Sequence, residues 1–236
     1  EMQIEFFGSK SSSTLRASAR GLSSSQHSFI ASERSIFSGT IVILPDASMS
    51  LTGENRILVK EGLKRIRHTK NIGLQALMQA CNVQPENISA YHFGYVLGPC
   101  VNATGRLDTA RHALRLFETG QETEAEEIAR DLVDLNQERK ELTLQGVEMA
   151  KKLCEEGGYE NDPVLVLFLP DVHESIAGLI AGRIREMYNR PVFVLTRGEE
   201  GVKGSGRSTE NYSMYENMCG CAELFTKFGG HPMAAG

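Results

Sequence analysis

The long acidic stretch between residues 122 and 156 restricts the fold more than any other feature of the sequence. Glutamates gather near its N-terminal end, and Lys151 and Lys152 lie near its C-terminal end, as the helix dipole favours. A helix of this length spans about 50 Å, which is more than one compact domain needs. We therefore expect two domains joined by a helical strut over 119–158 that stops at Gly157 and Gly158. The apolar residues of its predicted buried face recur at intervals of three, four and seven positions: Ile128, Leu132, Leu135, Leu142 and Met149.

The segment after the strut, 159–236, has the order of elements that is typical of an α/β domain. A continuous apolar run over 163–170 predicts a strand that is covered on both faces. A helix with several small residues follows over 173–184, and the next strand is predicted over 191–196. The order strand, helix, strand predicts a parallel pair with a right-handed crossover. A further helix is expected over 212–225, so the fold class is α/β with a mixed or parallel sheet.

The segment before the strut, 39–118, is predicted to be mainly helical after a short strand over 40–44. We expect helices over 57–66, 71–78 and 109–117, and a helix start at 85–88, whereas the helical pattern fades over 91–97. The first of these helices has a basic face, which either contacts phosphate groups or is simply solvated. That face carries Lys60, Lys64, Arg65, Arg67 and Lys70.

The first 38 residues are rich in serine and follow neither a helical nor a strand period. This composition predicts a flexible or disordered segment without an assigned function. The sequence begins with Glu1 rather than Met and ends on Gly236, within its most distinctive motif. We therefore expect a piece that is cut at both ends.

The composition excludes several classes of protein. A net charge of −5 argues against a surface that grips nucleic acid everywhere, although a local basic groove remains compatible with it. No apolar run is long enough to span a membrane, and no secretory leader is visible. The five cysteines have no paired CxxC spacing, which predicts free thiols in a reducing cytoplasm and no zinc site.

The motif that ends the chain, Gly229 to Gly236, is a candidate ligand-binding turn. Gly229 and Gly230 permit positive φ and a close approach of the backbone to an anion, and His231 adds an imidazole that can donate or accept a hydrogen bond. The small residues 234–236 are expected to start a helix behind a bound phosphate. For an isolated motif of this kind, a purely structural turn with a core histidine is the commoner explanation.

Two further glycine-containing turns carry arginines. The turn predicted over 98–108 places Arg106 just before a helix, where its planar guanidinium suits a phosphate, although an ion pair with Asp108 is an equally good interpretation. The turn predicted over 204–208 places the hydroxyl groups of Ser205 and Ser208 beside Arg207. Together with the terminal motif, these turns predict one groove lined for phosphate.

The motifs follow one another in an order that resembles the RecJ family of single-stranded-DNA-specific exonucleases, in the DHH phosphoesterase superfamily. They are LTGENRILVKEGLKRI, GPCVNATGRLD, the long acidic helix, HESIAGLIAGRI, NRPVFVLT, KGSGRS and FGGHPMAAG, and the resemblance covers about 39–236. It implies that 39–118 is a remnant of the DHH catalytic domain and that 159–236 is the DHH-associated nucleic-acid-binding domain.

The resemblance also implies a function and a set of site residues. The family digests single-stranded DNA from the 5′ end by metal-dependent phosphodiester hydrolysis, with manganese or magnesium, in DNA repair and recombination. The residues of this chain that match the family's phosphate- and DNA-contacting motifs are Asn102, Arg106, Ser205, Arg207, Gly229, Gly230 and His231.

The metal-binding motifs of the family are missing from this sequence. Neither an Asp-x-Asp nor an Asp-His-His motif occurs, and where relatives carry a metal-binding aspartate this chain has Ala47, with Asp46 one position early as a weak candidate. Asp46 with His68, His173 or His231 does not provide the ligand cluster that two-metal hydrolysis requires. We therefore expect no metal binding and no nuclease activity from this chain alone. A frameshifted reading upstream of about residue 48 would explain the slipped aspartate, and sequencing of the encoding DNA would test it.

Two other functions remain open at this point. A small-nucleotide phosphodiesterase or phosphatase of the DHH superfamily would share the Gly-Gly-His turn, but it would not need a long strut. A nucleic-acid-binding module without catalysis would need only the phosphate contacts.

Overall fold

The structure, a computed structural model, describes the backbone of 4–9 and 12–17 and the whole of 52–159, 162–198 and 201–236. The first described elements are strands β1 (Ile4–Ser9) and β2 (Ser12–Ala17), which pair antiparallel. The rest of the serine-rich segment, the strand expected over 40–44 and the candidate Asp46 lie outside the described residues.

The chain divides into two units. The helical unit comprises 1–104 and 109–133, and the sheet unit comprises 105–108 and 134–236. The division falls inside the long helix, so that helix supplies residues to both units.

The described helices of the helical unit begin with α1 (Gly53–Ile66) and α2 (Ile72–Ala80). A 3₁₀ turn (Pro85–Asn87) precedes a longer helical stretch that consists of α3 (Ala90–His92), a π-helical turn (Phe93–Leu97) and α4 (Gly98–Leu107). Helix α5 (Ala110–Glu118) follows. The expected loss of helix over 91–97 was wrong, and so was the turn over 98–108, because buried side chains such as Phe93 and Val101 pack these residues into the core.

Helix α2 packs against α5 at very short range. Asn71 caps α2 by accepting the Leu74 N–H at 2.8 Å, and its amide donates to the Phe117 carbonyl at 2.9 Å. Gly73 faces the backbone of Leu116 so closely that a Cβ at this position would overlap the Leu116 carbonyl oxygen. Gly73 therefore sets the distance between the two helices.

The long helix α6 (Glu122–Gly157) contains 36 residues, which confirms the predicted long helix, while its role as a strut between two domains stays a prediction. Gly158 follows it with a φ of +69°, a backbone conformation that favours glycine. Ile128 and Leu132 are buried in the helical unit, whereas Met149 is exposed and does not lie on the buried face. The buried hydrophobic α6 residues of the sheet unit's core are Val147, Ala150 and Cys154.

The sheet unit contains β3 (Leu165–Phe168), α7 (Glu174–Tyr188), β4 (Val192–Gly198) and β5 (Gly201–Arg207). It continues with α8 (Met214–Cys219), a 3₁₀ turn (Ala222–Leu224), β6 (Gly230–His231) and β7 (Ala234–Ala235). The strand order is β3-β4-β5-β7-β6, with β3 parallel to β4 and the other pairs antiparallel. The sheet is therefore mixed, and the predicted parallel pair is confirmed.

Strand β3 is buried on one face only. Leu165 and Leu167 are fully buried, whereas Val166 and Phe168 are 52% and 46% exposed. The expectation of cover on both faces was wrong, because the face of β3 that carries Val166 and Phe168 is open to solvent and an apolar run alone does not reveal how many faces are covered.

Two predicted turns are strands instead. Residues 204–207 belong to β5, and 234–235 form β7 rather than the start of a helix. The glycines of β5 leave room for bulky neighbours: a Cβ on Gly204 would lie 2.6 Å from Leu195 Cδ2, and one on Gly206 would overlap Met214 Sδ. The helix predicted over 212–225 is reduced to α8 and a 3₁₀ turn.

Two expectations drawn from the composition can be compared with the structure. All five cysteines are free thiols, as expected. None of the helices in the described part of the chain is long and apolar enough to cross a membrane.

We predict that Gly73→Ala destabilises the protein by roughly 3 kcal/mol, because the new methyl group meets a backbone carbonyl that cannot move independently. Urea unfolding followed by circular dichroism at 222 nm measures the change. Gly105→Ala is the matched control, since a Cβ there meets nothing within 4 Å and alanine favours the helix by about 1 kcal/mol. Equal unfolding midpoints for the two variants would contradict this account of α2–α5 packing.

Candidate anion-binding site

A row of three residues crosses the sheet from β5 to β6. Arg207 lies opposite Ala234, and Ala234 lies opposite His231. Directly opposed residues project from the same face of an antiparallel sheet, so Arg207 and His231 share a face. Two strand spacings separate their backbones by roughly 10 Å.

Helix α7 covers this face of the sheet at Arg207. A Cβ on Gly178 would lie 2.6 Å from Arg207 Nη2 and 2.7 Å from Ser205 Oγ, so the helix backbone almost touches both side chains. Arg207 Nη1 donates to the Gly206 carbonyl at 2.7 Å and to Ser205 Oγ at 3.2 Å. Because glycine leaves no side chain in the way, the guanidinium and the hydroxyl lie in a narrow space under α7.

Arg106, in the last turn of α4, reaches the same region of the sheet unit. Its Nη1 donates to the Ser175 carbonyl at 2.5 Å, in the first turn of α7. Burial and the neighbouring Arg207 lower the pKa of Arg106 below its ordinary value. Among the described residues no carboxylate lies within 4 Å of Arg106, so the alternative of an ion pair with Asp108 is not supported.

A third guanidinium lies on the other side of Arg207. Burial and Arg185 lower the pKa of Arg207, and Arg185 donates weakly to the Ser208 carbonyl at 3.4 Å. The Nε atom of Arg185 is buried and has no hydrogen-bond partner in the described part of the protein. Arg185 Nη2 lies 3.4 Å from Glu186 Oε1 and is therefore paired, whereas Arg106 and Arg207 have no carboxylate within 4 Å among the described residues. Two half-buried cations without an acidic partner raise the free energy of the folded state, and a bound anion would lower it.

A pocket of about 260 Å³ opens beside the first turn of α7. Its lining consists of Glu174, Ser175, Ala177, Thr196, Lys203, Gly204 and Ser205. His173 caps α7, because its Nδ1 accepts the Ser175 N–H at 3.3 Å and lies 2.7 Å from Ser175 Oγ. Lys203 pairs with Glu174 at 2.7 Å and so balances the one acidic group at this helix end. The N-terminus of a 15-residue helix adds a favourable field for an anion.

The Gly-Gly-His motif forms a β-hairpin. Gly229 and Gly236 exchange two backbone hydrogen bonds of 2.9 and 3.0 Å, so the Gly229 N–H is already used. A Cβ on Gly230 would lie 2.5 Å from the Ala234 carbonyl oxygen, which explains glycine at this position. His231 is exposed, and its Nδ1 accepts the Met233 N–H at 3.3 Å. The hairpin gives these glycines a structural reason, while a contact between His231 and a ligand stays a prediction.

The structure brings together only some of the residues that the sequence suggested. Arg106, Ser205 and Arg207 converge beneath α7, and His231 lies farther along the same sheet face. Asn102 is exposed on α4, in the other unit, and its role stays a prediction. Sequence reasoning missed Ser175, Gly178 and Arg185, although the small residues of α7 signalled close packing and hence a backbone near the site.

The metal that the family resemblance implies does not fit the residues described. No group of three His, Cys, Asp or Glu side chains in 52–159, 162–198 and 201–236 could hold a metal ion. His68, His173 and His231 therefore do not form a metal site with other described residues. Asp46 lies outside these ranges, so its candidacy stays a prediction.

Comparison with known proteins identifies similar sequences and folds. Residues 161–236 match the DHHA1 domain family. The chain is 37% identical over 196 residues to the single-stranded-DNA-specific exonuclease RecJ of Salmonella typhimurium, which covers 79% of this chain and 34% of that protein. It is 32% identical over 200 residues to the Bacillus subtilis protein of the same name, covering 84% of this chain and 25% of the relative.

Solved structures show the same likeness. The crystal structure of Thermus thermophilus RecJ in complex with Mg²⁺ has 35% identity and a TM-score of 0.69, covering 79% of this chain and 29% of that one. A structure of exonuclease RecJ bound to manganese has 34% identity and a TM-score of 0.67, and the match covers 78% of this chain and 45% of that one. The chain thus spans about a third of the length of the curated relatives it matches, or less.

We predict that inorganic sulfate raises the thermal unfolding midpoint more than sodium chloride of equal ionic strength, because sulfate compensates the half-buried guanidinium charge of Arg106 and Arg207. An anion at ten times its Kd adds about 1.4 kcal/mol, which corresponds to roughly 3–5 °C. Differential scanning calorimetry measures the shift.

Arg207→Gln is expected to abolish this specific shift. Arg183→Gln, which removes an exposed guanidinium from helix α7, is expected to retain it. Equal responses of these two variants would show that sulfate acts through general solvent effects.

Proposed function

We propose that this chain is the phosphate-holding part of a RecJ-type single-stranded-DNA exonuclease. The support is its match to the DHHA1 domain family and its similarity in sequence and fold to RecJ proteins over about four fifths of its length. The observation that carries the proposal is the cluster of Arg106 and Arg207 beneath α7, with no carboxylate within 4 Å of either guanidinium among the described residues. Arg185, on α7 itself, adds a third guanidinium near Arg207 and is paired with Glu186. A phosphate of the sugar-phosphate backbone has the charge and geometry to compensate this cluster.

The site binds and orients a phosphate rather than cleaving it. Arg106 and Arg207 supply planar, permanently charged donors, and the hydroxyl groups of Ser205 and Ser175 lie at the pocket. Phosphate contacts carry no base information, so we expect sequence-independent binding that weakens steeply with salt. Since the described residues do not offer a ligand set for manganese or magnesium, we assign the hydrolytic step to parts of the enzyme other than this site.

The finer parts of the proposal rest on the relatives. Degradation in the 5′-to-3′ direction, manganese or magnesium in the complete enzyme, a role in DNA repair and recombination and a cytoplasmic location follow the RecJ resemblance. Relatives named RecJ have been crystallised with Mg²⁺ or Mn²⁺, which supports the metal choice for the complete enzyme.

A small-nucleotide phosphodiesterase of the DHH superfamily is the second candidate. The pocket of about 260 Å³ beside α7 has the size of a small anionic group, which favours this interpretation. The 36-residue strut and the similarity to RecJ over 79% of the chain favour the exonuclease. The two candidates are separated by measuring, with the full-length enzyme, the turnover of a dinucleotide and the turnover of a long single strand of DNA. Binding without catalysis remains the expectation for this chain alone.

We predict that Gly178→Ala weakens binding of a single-stranded oligonucleotide about 10-fold, because the new methyl group displaces Arg207 Nη2 and Ser205 Oγ. These atoms end flexible side chains, so the fold is expected to remain stable. Gly182→Ala, one turn later, is the matched control, since its Cβ meets nothing nearer than Arg207 Cγ at 4.0 Å. Fluorescence anisotropy at fixed salt measures both, and equal affinities for the two variants would contradict the proposed site.

We also predict that this chain releases no nucleotides from 5′-phosphorylated single-stranded DNA in the presence of manganese. The reason is that two-metal hydrolysis needs a cluster of carboxylate and imidazole ligands, which the sequence motifs of this chain do not provide. Chromatography of the acid-soluble products measures release. Metal-dependent release above the background of an Arg207→Gln variant would refute the prediction.

A further inference from the structure

We propose that Tyr91 and Tyr95 form a stacking platform for the bases of single-stranded nucleic acid. This inference extends the proposed function, because it adds a base-contacting surface to a chain whose other candidate contacts are to phosphate. The two residues lie in the helical unit, on the helical stretch formed by α3 and the π-helical turn.

The two rings are exposed and already stacked on one another. Tyr91 is 63% exposed and Tyr95 is 73% exposed, and their ring centroids are 5.2 Å apart with an interplanar angle of 27°. The core contacts of this stretch come instead from Phe93 and Leu97, which are 5% and 2% exposed. The tyrosine pair therefore presents a π-face to solvent without contributing to the core.

A defect in the helix fixes the backbone at Tyr95. Pro99 has no N–H, and in a regular α-helix its ring would clash with the carbonyl four residues earlier, which is that of Tyr95. The π-helical turn avoids this clash, and the Gly98 N–H donates to the Phe93 carbonyl across it. A Cβ on Gly98 would lie 2.5 Å from the Phe93 oxygen, so glycine is needed here. Single π-helical turns inside α-helices occur frequently at functional sites.

Neighbouring groups hold Tyr91 in place. The His92 ring contacts it edge-on, with centroids 5.8 Å apart and an angle of 83°. The His92 ring is in turn fixed by Ser89, whose Oγ lies 2.8 Å from Nδ1 and whose backbone N–H donates to Nδ1 at 3.2 Å. An aromatic surface that is ordered before binding loses little conformational entropy when a ligand stacks on it.

The size of the surface favours a base over a protein partner. A stable protein interface buries about 800 Å² on each partner, usually with several apolar anchors. The described helical unit exposes only one other large apolar side chain, Ile57, so the tyrosines form a small pair rather than a broad patch. One ring face is enough for a nucleobase, and stacking tolerates any base. Asn102 lies seven residues after Tyr95 on the same helical stretch and is exposed, about 10 Å farther along it.

The test compares two ligands of equal charge, a single-stranded oligo-dT and an abasic strand of the same length. We expect the whole chain to bind oligo-dT about 10-fold more tightly than the abasic strand in anisotropy titrations at fixed salt. The double variant Tyr91→Ala with Tyr95→Ala is expected to lose this preference while it binds the abasic strand normally. Tyr91→Phe with Tyr95→Phe is expected to keep the preference, because phenylalanine preserves the rings. Leu144→Ala, which removes an exposed apolar side chain of α6, is the matched control and is expected to behave like the wild type.

The outcomes separate this proposal from the proposed function. Arg207→Gln is expected to weaken binding of both oligo-dT and the abasic strand, because it removes a phosphate contact. If the wild-type chain binds neither ligand, both the platform and the phosphate site are overturned. Equal binding of the two ligands by the wild type would overturn the platform and leave the phosphate site standing. If the double alanine variant keeps the preference for oligo-dT, the platform is also overturned. The tyrosine pair would then be assigned to a protein contact. If the double alanine variant binds neither ligand while the other variants bind both, the substitution has a structural effect, and the platform is again overturned.

Discussion

The close approach of α7 to β5 at Gly178 is the constraint on which the candidate site depends. Because glycine leaves no side chain between them, Arg207 and Ser205 lie directly beneath the helix backbone. The same approach puts the Ser175 carbonyl within reach of Arg106, so guanidinium groups from distant parts of the chain meet in a half-buried space. Such a space is costly for cations alone and favourable for an anion. The packing of one helix therefore creates the arrangement on which the proposed phosphate site rests.

Residues without side-chain bulk set the geometry elsewhere as well. Gly73 fixes the distance between α2 and α5, and Gly206 makes room for Met214. Gly98 and Pro99 lie at the end of the π-helical turn that contains Tyr95. In each case the glycine or proline acts through the backbone and lets neighbouring groups come close. Gly204, Gly206 and Gly230 lie at tightly packed positions of the sheet, and a contact of Gly229 or Gly230 with a ligand stays a prediction.

The similarity to RecJ and the chemistry of the site lead to the same division of tasks. The chain covers about a third of its curated relatives, and the match to the DHHA1 domain family covers its last 76 residues. The described residues offer cationic, aromatic and hydroxyl groups, which are the groups that the proposed binding of nucleic acid requires. Under this proposal binding and hydrolysis are separate tasks, because phosphate recognition needs fixed positive charge whereas water activation needs a bound metal.

The sequence by itself determined the local structure that depends on nearby residues. The period of the acidic stretch predicted α6, the double glycine predicted its end, and the order of apolar runs predicted the parallel pair β3 and β4. The sequence did not determine which glycine-rich segments are strands or that β3 is open on one face. It also did not determine that residues 91–107 stay helical. All three features depend on partners that are distant in the chain. Only the tertiary structure decided that Arg106 and Arg207, about a hundred residues apart in the sequence, meet under α7 with no acidic partner among the described residues. Long-range packing and strand register have no local signal, and they are what bring these separate arginines together.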